Sequence, residues 1–146
     1  MKYSPAQITA ILNGADDKKI HSVVEWIRDR ADTGDSRANY MLAKWHKEGL
    51  FGFKKSKRDY DKYIKIAMRA LLPDSIYDYG VSKDGRTIEK SREAIGYYIL
   101  AAILEDVDAI DALIGYFIYG NVVEKNDFIA SALRMRRDYI ASRGLR

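Results

Sequence analysis

At 146 residues, 47% hydrophobic and 32% charged, the chain has the size and composition of one folded domain with a substantial core, not of a disordered segment. With no cysteine and only two histidines it lacks the material for disulfides, thiolate metal sites or a cysteine nucleophile, and nearly so for structural zinc. The net charge of +4 is uneven: residues 1–73 carry 15 Lys and Arg against 9 Asp and Glu, residues 74–146 carry 10 against 12, so a basic surface is expected in the first half.

Helical signals then follow one another along the chain. Ser4, Pro5 and Gln7 spell a capping box with proline at the first helical position, and Asn13-Gly14 supplies a stop. A second helix opens at Asp16-Asp17, runs its apolar stripe through Ile20, Val23, Val24, Ile27 and Ala31, and ends at Thr33-Gly34. Asp35 or Ser36 caps a third, with Ala38, Met41, Leu42 and Trp45 inward and Gly49 at its end. After the loop at 50–55, Ser56 caps a fourth helix with stripe Tyr60, Tyr63, Ile64, Ala67 and Leu71, stopped by Pro73. Segment 75–87 reads as the least regular, broken by Gly80 and Gly85. Thr87 or Ser91 opens a helix with Ala94, Tyr97, Tyr98, Ala101 and Ala102 inward. Asp108 caps the next, with Ala109, Leu113 and Phe117 inward, ending at Gly120. Asn126 caps the last, with Phe128, Ala132, Met135 and Tyr139 inward, ending near Gly144. Strand periodicity is absent, so the expected class is all-α. Residues 1–7 have no apolar leader, and the longest apolar stretch, 94–104, is about half a membrane span. A soluble, cytoplasmic chain with no membrane partner is expected.

The helices repeat. Trp26, Tyr63 and Tyr97 each stand five residues before Ala31, Met68 and Ala102, at intervals of 37 and 34. Ala38, Leu42, Trp45 and Gly49 recur 71 residues later as Ala109, Leu113, Tyr116 and Gly120. A middle copy beginning at Ser75 and Tyr79 is degenerate. Small residues would let paired helices approach, aromatics would fill the gaps, and stacked pairs would bury what no single pair can. Trp26, Leu42, Trp45, Tyr63, Ala67, Tyr97, Ala101 and Leu113 are the expected core.

Over roughly residues 20–142 this pattern resembles the Sel-one-like repeat (SLR) family of the tetratricopeptide superfamily. The residues that carry the resemblance are Ala38, Asn39, Tyr40, Met41 and Leu42 through Gly49, the run from Ala94 to Ala102, and the turn Ala31-Asp32-Thr33-Gly34-Asp35. It departs where Leu72-Pro73-Asp74 replaces the usual turn. The resemblance implies a single domain over 1–146, with a helical cap at 1–34 and repeats at about 35–142. It would be a short α/α solenoid of about three stacked antiparallel helix pairs, right-handed in its superhelix. It also implies a non-enzymatic adaptor without cofactors. Short bacterial members resemble immunity proteins that neutralise a toxin.

Catalytic and ligand motifs weigh little beside this. Residues 80–87 fit G-x-x-x-x-G followed by Arg-Thr, but a P-loop needs a Lys there and a strand before it, so an inter-helix loop is expected. His21 has only Glu25 within helical reach, and His46 follows Trp45 with no nucleophile in view. Glu105, Asp106, Asp108 and Asp111 suit a helix start rather than a metal site.

One constellation points to binding. Arg58, Lys62, Lys65 and Arg69 recur at i, i+4, i+7 and i+11 on the fourth helix, opposite its tyrosines, and Lys54, Lys55 and Lys57 extend the ridge. Phe51 and Phe53 are expected to project from the adjoining loop as interface anchors. The implied partner is another protein with an acidic surface, a toxin among the candidates; RNA or DNA on the same ridge is the alternative. Arg134, Arg136, Arg137, Arg143 and Arg146 are a weaker basic group, since helix C-termini favour cations anyway. A second candidate surface is a groove near Asn39, Lys44 and Lys47.

Overall fold

Ser4, Asp16, Asp35, Ser56, Thr87, Asp106 and Asn126 each accept, through the side chain, the backbone N–H three residues on. Each such cap satisfies one donor that the first turn leaves open, for about 1 kcal/mol. A computed structural model describes residues 2–144, and every helix but α5 starts at one of these caps: α1 Pro5–Leu12, α2 Asp17–Asp32, α3 Ser36–Glu48, α4 Lys57–Arg69, α5 Pro73–Lys83, α6 Ile88–Ile103, α7 Val107–Tyr119 and α8 Asp127–Gly144. No strand occurs among the described residues. Arg146, expected in the C-terminal basic group, lies outside them.

Several termini differ from the sequence reading. Asp106, not Asp108, caps α7; Asp108 lies in the first turn, where its charge opposes the helix dipole. The α1 stop uses no left-handed glycine: Asn13 stays right-handed and Gly14 N–H donates to the Ile11 carbonyl at 3.1 Å. Pro73 starts α5 rather than stopping α4, occupying the position where its missing N–H costs nothing. Segment 75–83, expected to be irregular, is helical. Gly80 does not break α5, because a Cβ there would lie 2.9 Å from Cε1 of Tyr98. The glycine is the socket against which α6 packs.

The chain packs as two compact units, Met1–Ala70 and Leu71–Arg146. In the first, Val23, Val24, Ile27 and Ala31 of α2 meet Ala38, Leu42 and Trp45 of α3, and α4 lies against α3 with Tyr60, Ile64 and Ala67 buried. In the second, α5 pairs with α6 and α7 with α8, and α6 joins α7. Its buried residues include Ile76, Ala94, Tyr98, Ala101, Ile110 and Leu113. Trp26, Tyr63 and Tyr97, expected in the core, are only half-buried: each uses one ring face or edge for packing and leaves the other at the surface.

Helix α8 corrects the sequence reading most. Phe128 and Met135 are 83% and 74% exposed, and Ala132 and Tyr139 are exposed too. The face turned inward carries Ala130, Leu133, Arg137 and Ile140 instead. Arg137 donates to Asp111 of α7 at 2.7 Å, so an ion pair lies at the margin of this face. Leu71 is likewise exposed, since α4 ends before it at Arg69.

The turns out of α2, α4 and α6 share one requirement. Gly34, Leu71 and Glu105, 37 and 34 residues apart, all have left-handed backbones, with φ of 91°, 57° and 69°. A residue with a side chain pays strain of about 1–2 kcal/mol there, against which glycine's extra chain entropy costs about 0.5–1 kcal/mol. Leu71→Gly is therefore expected to raise stability by about 0.5 kcal/mol, read from urea midpoints, and Gly34→Leu to lower it. Leu42→Ala removes a 3% exposed side chain at the α2–α3 contact and is expected to cost about 2–5 kcal/mol by the same measurement.

Candidate protein-binding surface

Helix α4 is held from below. Ser56 caps it, and Tyr60, Ile64 and Ala67 are buried on the face toward α3. With that face fixed, Arg58, Lys62, Lys65 and Arg69 lie on the opposite one, and all four are exposed. Lys54, Lys55 and Lys57 are exposed as well. None of these seven cations is in an ion pair among the described residues. Asp59 on the same helix lies 3.8 Å from His46 Nδ1. Lys62 Nζ stands 5.0 Å over the Tyr63 ring centroid, a cation–π contact that leaves the side chain exposed.

Phe51 and Phe53 do not project. Both are half-buried, with centroids 5.2 and 5.7 Å from that of Trp45. Phe53 also meets the His46 ring edge-on at 4.9 Å. They wedge the loop against α3, because two adjacent aromatics lose more by hydration than the loop loses by folding back. His46 stacks on Tyr63 and its Nδ1 lies 3.2 Å from the Lys54 carbonyl, so it is a packing residue at the base of the ridge. His21 is exposed. Asn39 is buried and donates to the carbonyls of Ala31 and Asp35 at 3.1 and 2.9 Å, stapling the α2–α3 turn rather than facing a groove.

The acidic group divides its work. Asp106 caps α7, and burial pushes its carboxyl up from the ordinary value. Glu105 pairs with Arg143 and with Arg136, the Arg143 hydrogen bond holding its carboxyl below the usual range. Arg136, Arg137 and Arg143 are thus engaged with carboxylates. No three His, Asp or Glu side chains among the described residues are placed to hold a metal ion. The glycine motif at 80–87 is the tail of α5 and a turn, where Gly85 N–H donates to Ser91 Oγ at 3.0 Å.

Two features escaped the sequence reading. Asp84, at the end of α5, accepts hydrogen bonds from Tyr98 on α6, at 2.8 Å, and from Tyr116 on α7. A shallow cavity of about 300 Å³ opens beside it, lined by Gly115, Tyr119 and Asn121. The partners are 14 and 32 residues away, beyond any local motif. The second feature is positional. The ridge places of α4 correspond, at the repeat spacing, to Arg92, Gly96, Ile99 and Ile103 of α6 and to Phe128, Ala132, Met135 and Tyr139 of α8. All are exposed. The same outward stripe is basic on α4 and largely apolar on α6 and α8, a pattern the i, i+4, i+7, i+11 spacing already contained.

No family model and no curated protein matches the chain. Solved structures do. A protective antigen present in uropathogenic Escherichia coli strains, displaying an SLR fold, superposes with a TM-score of 0.69 at 20% identity over 90% of this chain. This chain spans only 29% of that protein. A Sel1 repeat protein from Oxalobacter formigenes gives a TM-score of 0.64 at 19% identity, over 77% of this chain and 86% of the other. The fold is a Sel1-like repeat fold. Its helix pairs are α3–α4, α5–α6 and α7–α8, and the fold class expected from the sequence, an all-α solenoid of helix pairs, is the one found. No described helix is long and apolar enough to cross a membrane.

The Asp84 node has a pH signature. Burial, then the Asp84 hydrogen bond, push the Tyr98 phenol far above its ordinary value of 10.0. Below pH about 10 the phenol is protonated in both states, so this contribution is fully present. Above it the unfolded chain releases a proton that the folded chain retains, and stability falls as pH rises toward the folded value. Stability is expected to decline from pH 10 upward, and less steeply in Tyr98→Phe, as followed by circular dichroism. Asp84→Ala, leaving two phenols without their acceptor, is expected to cost about 1–3 kcal/mol at neutral pH.

Proposed function

We propose that this chain is a non-enzymatic protein-binding module whose α4 ridge receives an acidic surface of another protein. The observation that carries the reading is the set of seven exposed cations, none in an ion pair among the described residues, on a helix whose inward face is already committed. Paired cations merely solubilise a surface; a single-sign stripe raises the local concentration of an anionic partner and speeds its docking. Sel1-like repeat proteins generally work by binding other proteins, which supports the class. Within that class, the finer proposal is an inhibitor that covers the working face of a toxin. Phe51 and Phe53 serve this site by bracing the loop of Lys54 and Lys55. RNA or DNA is less well served, because Tyr60 is buried and Tyr63 is engaged with His46, leaving no aromatic platform for base stacking on the ridge.

The triple variant Lys62→Glu, Lys65→Glu, Arg69→Glu tests this reading. Each change is expected to shift stability by no more than about 0.5 kcal/mol, since all three side chains are exposed. Recovery of the native partner from host extract should fall sharply, with slower association and weaker salt dependence. If the partner is a toxin, the wild type should restore growth of toxin-expressing cells and the variant should not. Equal recovery by both forms places the interface elsewhere. Recovery of nucleic acid in place of protein overturns the class while leaving the residues.

A further inference from the structure

A groove in the first unit lies on different elements from the ridge, and its chemistry is different. It runs between α1, α2 and α3, with a volume of about 520 Å³, within the range of ligand-binding clefts. Ile8, Ile27, Ala38 and Met41 give it an apolar floor, and Trp26 forms one wall, half-buried with Tyr3 against its edge at 5.3 Å. Such a wall is unusual to leave open, because an indole is among the largest apolar surfaces a protein can bury. Helix α1 has no buried residue of its own and covers the groove only in part.

Among the charged residues that line it are Arg30, Lys44 and the carboxylate of Asp35. That carboxylate is already committed. It accepts from Ala38 N–H at 2.9 Å as the cap of α3, and from Arg30 Nη2 at 2.9 Å. The Ala38 hydrogen bond and the Arg30 guanidinium hold its carboxyl below the usual range, so it stays charged and cannot be released cheaply to balance a newcomer. Arg30 also lies 5.3 Å over the Trp26 ring, so the charged rim and the apolar wall meet at one point. Lys44 is exposed, its amine 4.8 Å over the Tyr40 ring and in no ion pair among the described residues.

We propose that this groove is a second binding site, for a short segment of a partner protein that sets an apolar or aromatic side chain beside an acidic one. The apolar residue covers Trp26 and Met41, and the carboxylate meets Lys44 at the rim. An apolar anion fits both halves of the site at once, whereas a neutral apolar segment desolvates the Lys44 amine without matching its charge, and a basic one is repelled by it. A groove of about 520 Å³ lined by residues of three helices has room for more than one side chain of a single segment. The proposal goes beyond the ridge and does not depend on it.

The test uses the full chain and the fluorescence of Trp26; the other tryptophan, Trp45, is buried and does not line the groove. The probes are a capped hexapeptide alternating leucine with glutamate, the same peptide with glutamine or lysine for glutamate, and decanoate as a free apolar anion. The glutamate peptide is expected to give a saturable change that is absent in Trp26→Phe and weakens with salt. Lys44→Glu should weaken it by roughly tenfold or more, the loss of one charged contact, with helicity unchanged. Lys44→Gln gives the same direction without adding a charge and carries the comparison if Lys44→Glu loses helicity. The ridge triple variant should bind the peptide as the wild type does, so failure here and failure of the ridge are separate results. No saturable change at millimolar peptide, an equal response to the glutamine or lysine peptide, indifference to both Lys44 variants, or tighter binding of decanoate than of the peptide would each overturn the proposal.

Discussion

Close approach between helices, set by small side chains at fixed places, is the constraint on which the rest of this molecule depends. Ala38, Ser75 and Ala109 occupy the same place on α3, α5 and α7, and all are essentially excluded from solvent. Ala67 and Ala101 do the same on α4 and α6. A larger residue at any of these would hold the helices apart and leave gaps that the neighbouring apolar side chains could not fill. Ser75 meets the size requirement with a polar atom and disposes of it locally, its hydroxyl donating to the Leu72 carbonyl at 2.7 Å. Gly80 carries the principle to its limit, giving Tyr98 contact with bare backbone.

These contacts also fix which way everything else points. Once Ile64 and Ala67 are seated, Lys65 and Arg69 have nowhere to go but outward. Once Ile95, Tyr98 and Ala101 are seated, Ile99 and Ile103 are outward in the same way. Inward positions accept a narrow range of sizes, while outward ones carry almost no packing constraint and are open to binding chemistry.

That division explains what could be read in the sequence. Caps were legible through α4 and again in α6, and most of the inward stripes in α2, α3, α4, α6 and α7, because periodicity and capping residues are local signals. Segment 75–83 was not, because Gly80 carries opposite meanings: in isolation it weakens a helix, and against the Tyr98 ring it is the only residue that fits. In α8, Phe128, Met135 and Tyr139 form the more hydrophobic stripe, yet the inward face carries Ala130 and Arg137. A terminal helix covers a core from one side only, and the ion pairs Arg137–Asp111 and Arg136–Glu105 accompany the seating of Ala130 in this rotation. Phe51 and Phe53 were misplaced for a related reason: a loop aromatic announces hydrophobicity but not whether Trp45 is within reach. Of the ridge, the seven cations were legible as a stripe, and that none of them is ion-paired among the described residues was not, since that depends on where distant acids fall.

The apolar outward stripe on α6 and α8 then acquires weight. Isolated exposed hydrophobics are ordinary, but Ile99, Ile103, Met135 and Tyr139 occupy repeat-equivalent places. On α4 those same places hold lysine and arginine. A chain selected only for solubility would have no reason to leave Ile99, Ile103, Met135 and Tyr139 exposed at places that α4 fills with cations. Since the packing requirement at these places is the same in every pair, the difference between them cannot come from the fold. It is the part of this sequence that folding leaves free, and it varies in sign and polarity from one helix to the next.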